Sequence, residues 1–189
     1  PLWSRGLGDV YKRQTYMGAV DSVPEKHVLK KMRDAAIRSK IINEILADKP
    51  GAKALDIGCG LGLLVIDLLK YGYDSYGIEP GELWQRYTDS DRIINGDINS
   101  LSFPANSIDF VSMIHVFEHM RSPILTLNRI NQILKDDGLL WIEVPDLQSY
   151  KSKNYKKFHF AHVLGFSEAN LLYLAWQYGF FPIQKIPKE

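Results

Sequence analysis

The run Asp56-Ile57-Gly58-Cys59-Gly60-Leu61-Gly62 holds the clearest chemistry in this chain. It joins an apolar stretch with the pattern of a buried strand to a leucine-rich stretch with helical spacing. Glycines at alternate positions let a backbone turn tightly and approach a ligand where any Cβ would clash. The helix that follows presents unpaired N–H groups to polar ligand atoms. The dinucleotide fingerprint G-x-G-x-x-G requires glycine at position 63, where this chain has Leu63. A nicotinamide or flavin reading therefore fits less well. Glu79, twenty-three residues after Asp56, stands where an acid can bind ribose hydroxyls in such folds. Asp97 follows the next strand, placed to accept from the exocyclic amine of adenine, with Ile98 packing beside the ring. Cys59 reads as a small buried residue rather than a nucleophile.

Four histidines are candidates for proton transfer, since imidazole titrates near neutral pH. His115 ends the fourth strand, a place that adjoins the reacting centre in open α/β sheets, and it is the first choice as a site residue. Glu118 and His119 follow, with a structural role in the loop as an equal alternative. His159 and His162 lie in a long connection and would face the acceptor, His162 as a second catalytic candidate. Their His-x-x-His spacing has no carboxylate cluster beside it in sequence, so no metal site is expected.

The elements that position these residues alternate helix and strand, which argues for an α/β domain with a mostly parallel sheet. Ser22-Val23-Pro24 starts a helix whose apolar positions are Val28, Leu29, Met32, Ala36, Ile41, Ile45 and Leu46. Strands are expected at 52–57, 75–79, 92–94, 108–114, 139–144 and 180–186. Strand 108–114 is almost wholly apolar and should be buried on both faces. Gly62 to Tyr71 reads as a helix ended by Gly72. Ser122-Pro123 opens another, with Ile124, Leu127, Ile130 and Leu134 on one face. Ser167 caps a last helix that Gly179 closes. Pro145 to Gly165 is longer than ordinary connections, a mark of functional loops. Phe103, Phe110 and Trp141 read as core.

Taken in order, these features resemble class I S-adenosylmethionine-dependent methyltransferases, which carry a D/E-x-G-x-G-x-G turn after strand one, an acid ending strand two and an acid after strand three. His115-Val116-Phe117-Glu118-His119 with Ser122-Pro123 is similar to the H-V-x-E-H run of small-molecule members. Leu134-Lys135-Asp136-Asp137-Gly138 with Ile142-Glu143-Val144-Pro145-Asp146, and His162-x-x-x-Phe166-Ser167, extend the likeness from about Asp56 to Phe181. The resemblance implies a Rossmann-like doubly wound sheet with S-adenosylmethionine as cofactor. Asp56, Gly58 and Gly60, with Cys59 in the same turn, would line its methionine end. Glu79 would hold the ribose hydroxyls, Asp97 and Ile98 would frame adenine, and His115 would adjoin the methyl group. It also implies direct displacement onto a small-molecule acceptor, in the branch of sugar, glycan and natural-product enzymes. The alternatives are a non-catalytic module of the same fold and, less well supported, an NAD-dependent oxidoreductase. Tyr16 and the helix from Pro24 would cover the cofactor. The Asp/Asn-Pro-Pro-aromatic motif of amino-directed DNA methyltransferases is absent, as is the paired-glutamate loop of protein arginine methyltransferases. One cysteine cannot supply the zinc region of sugar carbon-methylating relatives.

Length and composition set the outer bounds. A chain of 189 residues with 46% hydrophobic content fits one domain better than two. A net charge of +1 gives no electrostatic footprint for nucleic acid, and the basic run from Lys151 to Lys157 reads as a solvated loop. No apolar stretch reaches the ~20 residues of a membrane helix, and one cysteine with no secretory signal points to the cytoplasm. Residues 1–14 end in Asp9-Val10-Tyr11-Lys12-Arg13-Gln14, which looks like a translated sequencing adapter. The native domain is therefore expected at 15–189, a fragment of an environmental gene. Without that segment the chain has 20 basic and 21 acidic residues. Because the chain stops after the sixth expected strand, the family's antiparallel seventh strand is expected to be missing.

Overall fold

The computed structural model describes residues 25–81, 90–147 and 162–186. The segment 1–14, Tyr16, the helix start at Ser22 to Pro24, the basic run 151–157 and His159 lie outside the described residues. Five strands form one wholly parallel sheet: β1 (Lys53–Ile57), β2 (Asp74–Glu79), β3 (Ile93–Asn95), β4 (Ile108–Ile114) and β5 (Leu134–Glu143). Their order across the sheet is β3-β2-β1-β4-β5. The chain thus runs outward from β1 in one direction and then reverses to the other side, the doubly wound arrangement the sequence implies. The helices are α1 (Glu25–Ile45), α2 (Leu63–Lys70), α3 (Pro123–Ile133) and α4 (Glu168–Gln177), with a short 3₁₀ turn at Phe117–His119.

Alternation along the central strands sorts the core into two layers. Ala54 and Phe110 point to one face, where they pack with Ala35, Ile42 and Leu46 of α1 and Leu64 and Leu68 of α2. Leu55, Ile57, Val111 and Met113 point to the other, against Leu127, Ile130 and Ile133 of α3, Phe117 and Phe166. Six of the seven β4 residues are buried, as a strand covered on both faces requires. Phe110 is core as expected, while Phe103 and Trp141 are half-buried at its margin.

The structure departs from the sequence reading at three elements. The inner face of α1 is Ala35, Ser39, Ile42 and Leu46, whereas Leu29, Met32 and Ala36 are exposed. Apolar spacing misplaces that face because Lys31 and Arg38, which share it, are charged. The third helix ends at Ile133, and Leu134 already pairs with Ile108 as the first residue of β5. Residues 135–138 then bulge out before Leu139 pairs with Phe110. This bulge is held by Lys135 Nζ donating to Asp109 Oδ1 at 2.7 Å, and by Lys49 donating to Asp137 Oδ2 at 2.7 Å.

The third departure is the expected sixth strand. Residues 180–186 join no ladder among the described residues, and Phe181 and Ile183 are 71% and 82% exposed. An edge strand is defined by its neighbour, and no apolar pattern can supply one. α4 itself forms as expected: Ser167 Oγ accepts from Asn170 N, and Asn170 Oδ1 accepts from Ser167 N at 2.7 Å, a reciprocal cap. Gly179 closes it at φ +86°.

Two substitutions distinguish core from uncovered segment. Phe110→Ala should cost about 3–5 kcal/mol in urea unfolding, while Ile183→Ala should stay within about 0.5 kcal/mol. A loss above 1 kcal/mol at Ile183 would show that the 180–186 segment is buried after all.

Candidate functional site

In a parallel sheet every strand ends on the same side, so the residues that follow β1 to β5 gather along one edge. A crevice opens where the strand order reverses, here between β1 and β4. The glycine turn occupies that place. Gly58 (φ +73°), Gly60 (φ +56°) and Gly62 (φ +67°) all take left-handed backbone conformations, which only glycine adopts freely. Gly58 is constrained twice, because a Cβ there would lie 2.4 Å from Val116 Cγ2 in the loop after β4. Gly58 N and Cys59 N both donate to Ile78 O, at 2.8 and 3.1 Å, binding the turn to β2. The Cys59 side chain fills the space above Gly77, whose Cβ would come within 2.5 Å of Sγ. Cys59 is half-buried rather than buried as expected, and burial, then Asp56 and Glu79, push its thiol far up, which disfavours the thiolate.

Asp56 and Glu79 are each 6% exposed. Ser112 Oγ donates to Asp56 Oδ1 at 2.7 Å. Burial nevertheless raises Asp56 to about 7, with Glu79 adding to the rise and Ser112, Arg38 and Lys31 opposing it. Glu79 accepts from Gly60 N at 2.9 Å through one oxygen and from Gly81 N at 2.7 Å through the other. Burial raises it as well, against those two N–H groups and Lys31. Lys31, reaching in from α1, is itself lowered by burial, with Glu79 opposing.

The far side of the crevice is an ion cluster. Arg38 donates to both oxygens of Glu143, at 2.9 and 2.8 Å, a bidentate pair that clamps α1 to the end of β5. His115 Nε2 lies 3.1 Å from Glu143 Oε1, and its Nδ1 lies 3.6 Å from Glu118 Oε1. Glu118 and then Glu143 raise His115 to about 9, and burial only partly opposes them. Burial works to raise Glu143, but His115 and Arg38 outweigh it and hold the carboxyl at about 2. His115 is also one of two described non-glycine residues with positive φ (55°), a conformation that costs such residues about 1–2 kcal/mol. It is fixed there by its N–H donating to Glu143 O at 2.8 Å.

The adenine candidates divide. Asp97 is exposed, and its Oδ1 accepts from Asn99 N at 2.8 Å. Ile98 is 1% exposed and packs in the core cluster with Phe117, so its side chain offers no face to a ring in this conformation. His162 lies against His119, with ring centroids 5.0 Å apart.

Sequence reasoning missed Lys31, Arg38, Ser112, Val116 and Glu143 as parts of the site. Lys31 and Arg38 stand seven residues apart on one helix face, and that spacing was the available signal. Ser112 and Glu143 sit on strands, where register across the sheet decides what they meet.

Comparison with known proteins gives a consistent result. The family model described as a methyltransferase domain matches residues 28–185. A sterol 24-C-methyltransferase of Gibberella zeae is 27% identical over 105 residues, covering 50% of this chain and 28% of that protein. The match spans 28% to 41% of the length of the first three curated relatives. Among solved structures, a SAM-dependent methyltransferase from Archaeoglobus fulgidus superposes with a TM-score of 0.62 at 20% identity, over 76% of this chain and 69% of that one. The 4+2 cyclase SpnF superposes with a TM-score of 0.63 at 18% identity, over 76% and 56%. At these identities the likeness is one of fold.

The raised Asp56 has a measurable consequence. An acid whose folded pKa is about 7, against about 3.9 unfolded, keeps an extra proton in the folded state. Its contribution to stability is complete below pH 4 and is lost as pH rises through 7, by an amount of order 4 kcal/mol. Urea unfolding should show stability falling between pH 4.5 and 7, and Asp56→Asn should flatten that fall. Equal slopes in the two proteins would show that Asp56 does not titrate in this range.

Proposed function

The chain belongs to the methyltransferase-domain family of S-adenosylmethionine-dependent class I enzymes, and on that premise we propose that it binds S-adenosylmethionine and methylates a small-molecule acceptor. The observation that carries this reading is the glycine turn with its two buried acids. Three glycines in left-handed conformations shape a turn that other residues adopt only under strain. The carboxylates of Asp56 and Glu79 beside it suit a ligand with an ammonium group and ribose hydroxyls. When bound, the cofactor supplies a methyl group already activated on a sulfonium, which an acceptor nucleophile displaces in line as sulfur departs. The protein's task is then alignment and exclusion of water.

Each residue has a part in that task. The turn at Gly58 and Gly60 lines the cofactor's methionine end, with Val116 packed against Gly58 and Cys59 as an inert wall. Glu79 holds the turn in shape through Gly60 and meets the ribose from the end of β2. Asp97 approaches adenine from the loop after β3, and Ile98 supports that loop from the core. His115 lies at the end of β4, beside the crevice. At about 9 its imidazole is cationic near neutral pH, so it acts by position and charge rather than as a general base. Arg38 and Glu143 hold it in place. Small-molecule acceptors are the substrates named for relatives such as the Gibberella sterol enzyme and the ubiquinone biosynthesis O-methyltransferase of Acinetobacter baylyi. A sugar, glycan or natural-product intermediate fits the same class. The fold shared with a cyclase supports one second reading, a scaffold that keeps the pocket without methyl transfer.

Calorimetric titration of the chain with S-adenosylmethionine, S-adenosylhomocysteine and NAD tests the proposal. The first two should bind, NAD should not, and Glu79→Ala should weaken binding at least ten-fold. NAD binding alone, or no binding of S-adenosylmethionine, would overturn the cofactor assignment. Binding without S-adenosylhomocysteine formation across a panel of small acceptors would favour the scaffold.

A further inference from the structure

Glu118 is buried to 2% exposure, and neither of its carboxylate oxygens has a hydrogen-bond partner among the described residues. An ionised carboxylate in that state is costly unless a cation is provided for it. His115 Nδ1 stands 3.6 Å away and His119 Nε2 3.9 Å away, both beyond hydrogen-bond distance. His162 completes the group: one ligand atom each from Glu118, His119 and His162 lies within 4.8 Å of the other two. Sequence reading paired His162 with His159 and found no carboxylate near them. The folded chain instead brings Glu118 and His119 to His162 across more than forty residues of sequence, which revises the expectation that no metal binds.

The contacts that deliver His162 are specific. Leu164 N donates to Glu118 O at 3.0 Å, and Leu147 N donates to Phe166 O at 2.9 Å. Asp146 and Phe166 form a parallel bridge, and Phe166 stacks on Phe117 at 5.2 Å. The segment from His162 to Phe166 is thereby sewn to the 3₁₀ turn that carries Glu118 and His119. The two imidazoles meet edge to face, with ring centroids 5.0 Å apart. Ligands about 2.1 Å from a tetrahedral ion lie roughly 3.4 Å apart, so the 3.9 Å between Glu118 and His119 closes by about half an ångström and any pair at the 4.8 Å bound by more, within reach of side-chain adjustment.

We propose that Glu118, His119 and His162 form a binding site for one divalent transition-metal cation. Two imidazoles and one carboxylate favour zinc, manganese or ferrous iron over calcium or magnesium. Three protein ligands leave at least one position for a further oxygen ligand. The site stands on its own residues and does not depend on the cofactor reading. Its bound ion ties the 162–166 segment to the end of β4, next to His115.

The test uses the full chain stripped with a chelator and titrated with zinc, manganese and magnesium chlorides, followed by calorimetry and thermal unfolding. One equivalent of zinc or manganese should bind with micromolar or tighter affinity and raise the melting temperature, with magnesium at least ten-fold weaker. His162→Ala and Glu118→Gln should each lose at least ten-fold in affinity, and His27→Ala, on α1 outside the cluster, should lose none. Glu118→Gln carries a second signature: the metal-free variant should unfold cooperatively, with no rise in melting temperature on adding metal. No stoichiometric binding by the stripped chain, or binding that both site variants keep, would overturn the proposal. A stable metal-free Glu118→Gln variant that still gains the full metal-dependent rise would do the same.

Discussion

Two carboxylates buried at the ends of adjacent strands set the terms for everything around them. Asp56 and Glu79 end β1 and β2 with almost no exposure, and desolvation pushes both towards the neutral form. Their surroundings read as a response to that cost. Ser112 turns its hydroxyl to Asp56, the N–H groups of Gly60 and Gly81 close on Glu79, and α1 brings Lys31 and Arg38. A helix with an apolar inner face would have packed at least as well against the sheet. This one places two cations on that face, and the charge at the crevice is the physical reason.

Legibility in the sequence followed contact range. The glycine turn, Glu79 and the cap of α4 depend on neighbours a few residues away or on one βαβ unit, and the residue types announce them. β4 announced itself by being apolar throughout. The Arg38–Glu143 pair spans 105 positions, and no local pattern encodes such a meeting. The inner face of α1 was misread for a related reason: hydrophobic periodicity assumes that the buried face is apolar, and the site makes it charged.

The segment after α4 shows the same limit from the opposite side. Residues 180–186 have an apolar composition that reads as a strand, yet Phe181 and Ile183 stand exposed and unpaired. β-propensity describes how well a residue fits a pleated, half-buried surface. Where no neighbouring strand supplies that surface among the described residues, the propensity has nothing to act on. The capping box of Ser167 and Asn170 needs only its own first turn, which is why α4 could be read to within a residue and the strand after it could not.

The glycine turn and the loop after β4 are one mechanical unit. Val116 fills the space that a side chain at Gly58 would occupy. Its neighbours are His115, bound to Glu143, and the 3₁₀ turn with Glu118 and His119. The five positions from His115 to His119 therefore touch the glycine turn, the Arg38–Glu143 clamp and the Glu118–His119–His162 group. A displacement of the 3₁₀ turn by a few tenths of an ångström would move Val116 against backbone that has no slack, since Gly58 and Cys59 are both bonded to Ile78 O. Closely packed interiors transmit such shifts rather than absorb them. A shift of the histidine cluster is thus positioned to alter the glycine turn, through contacts no longer than one loop.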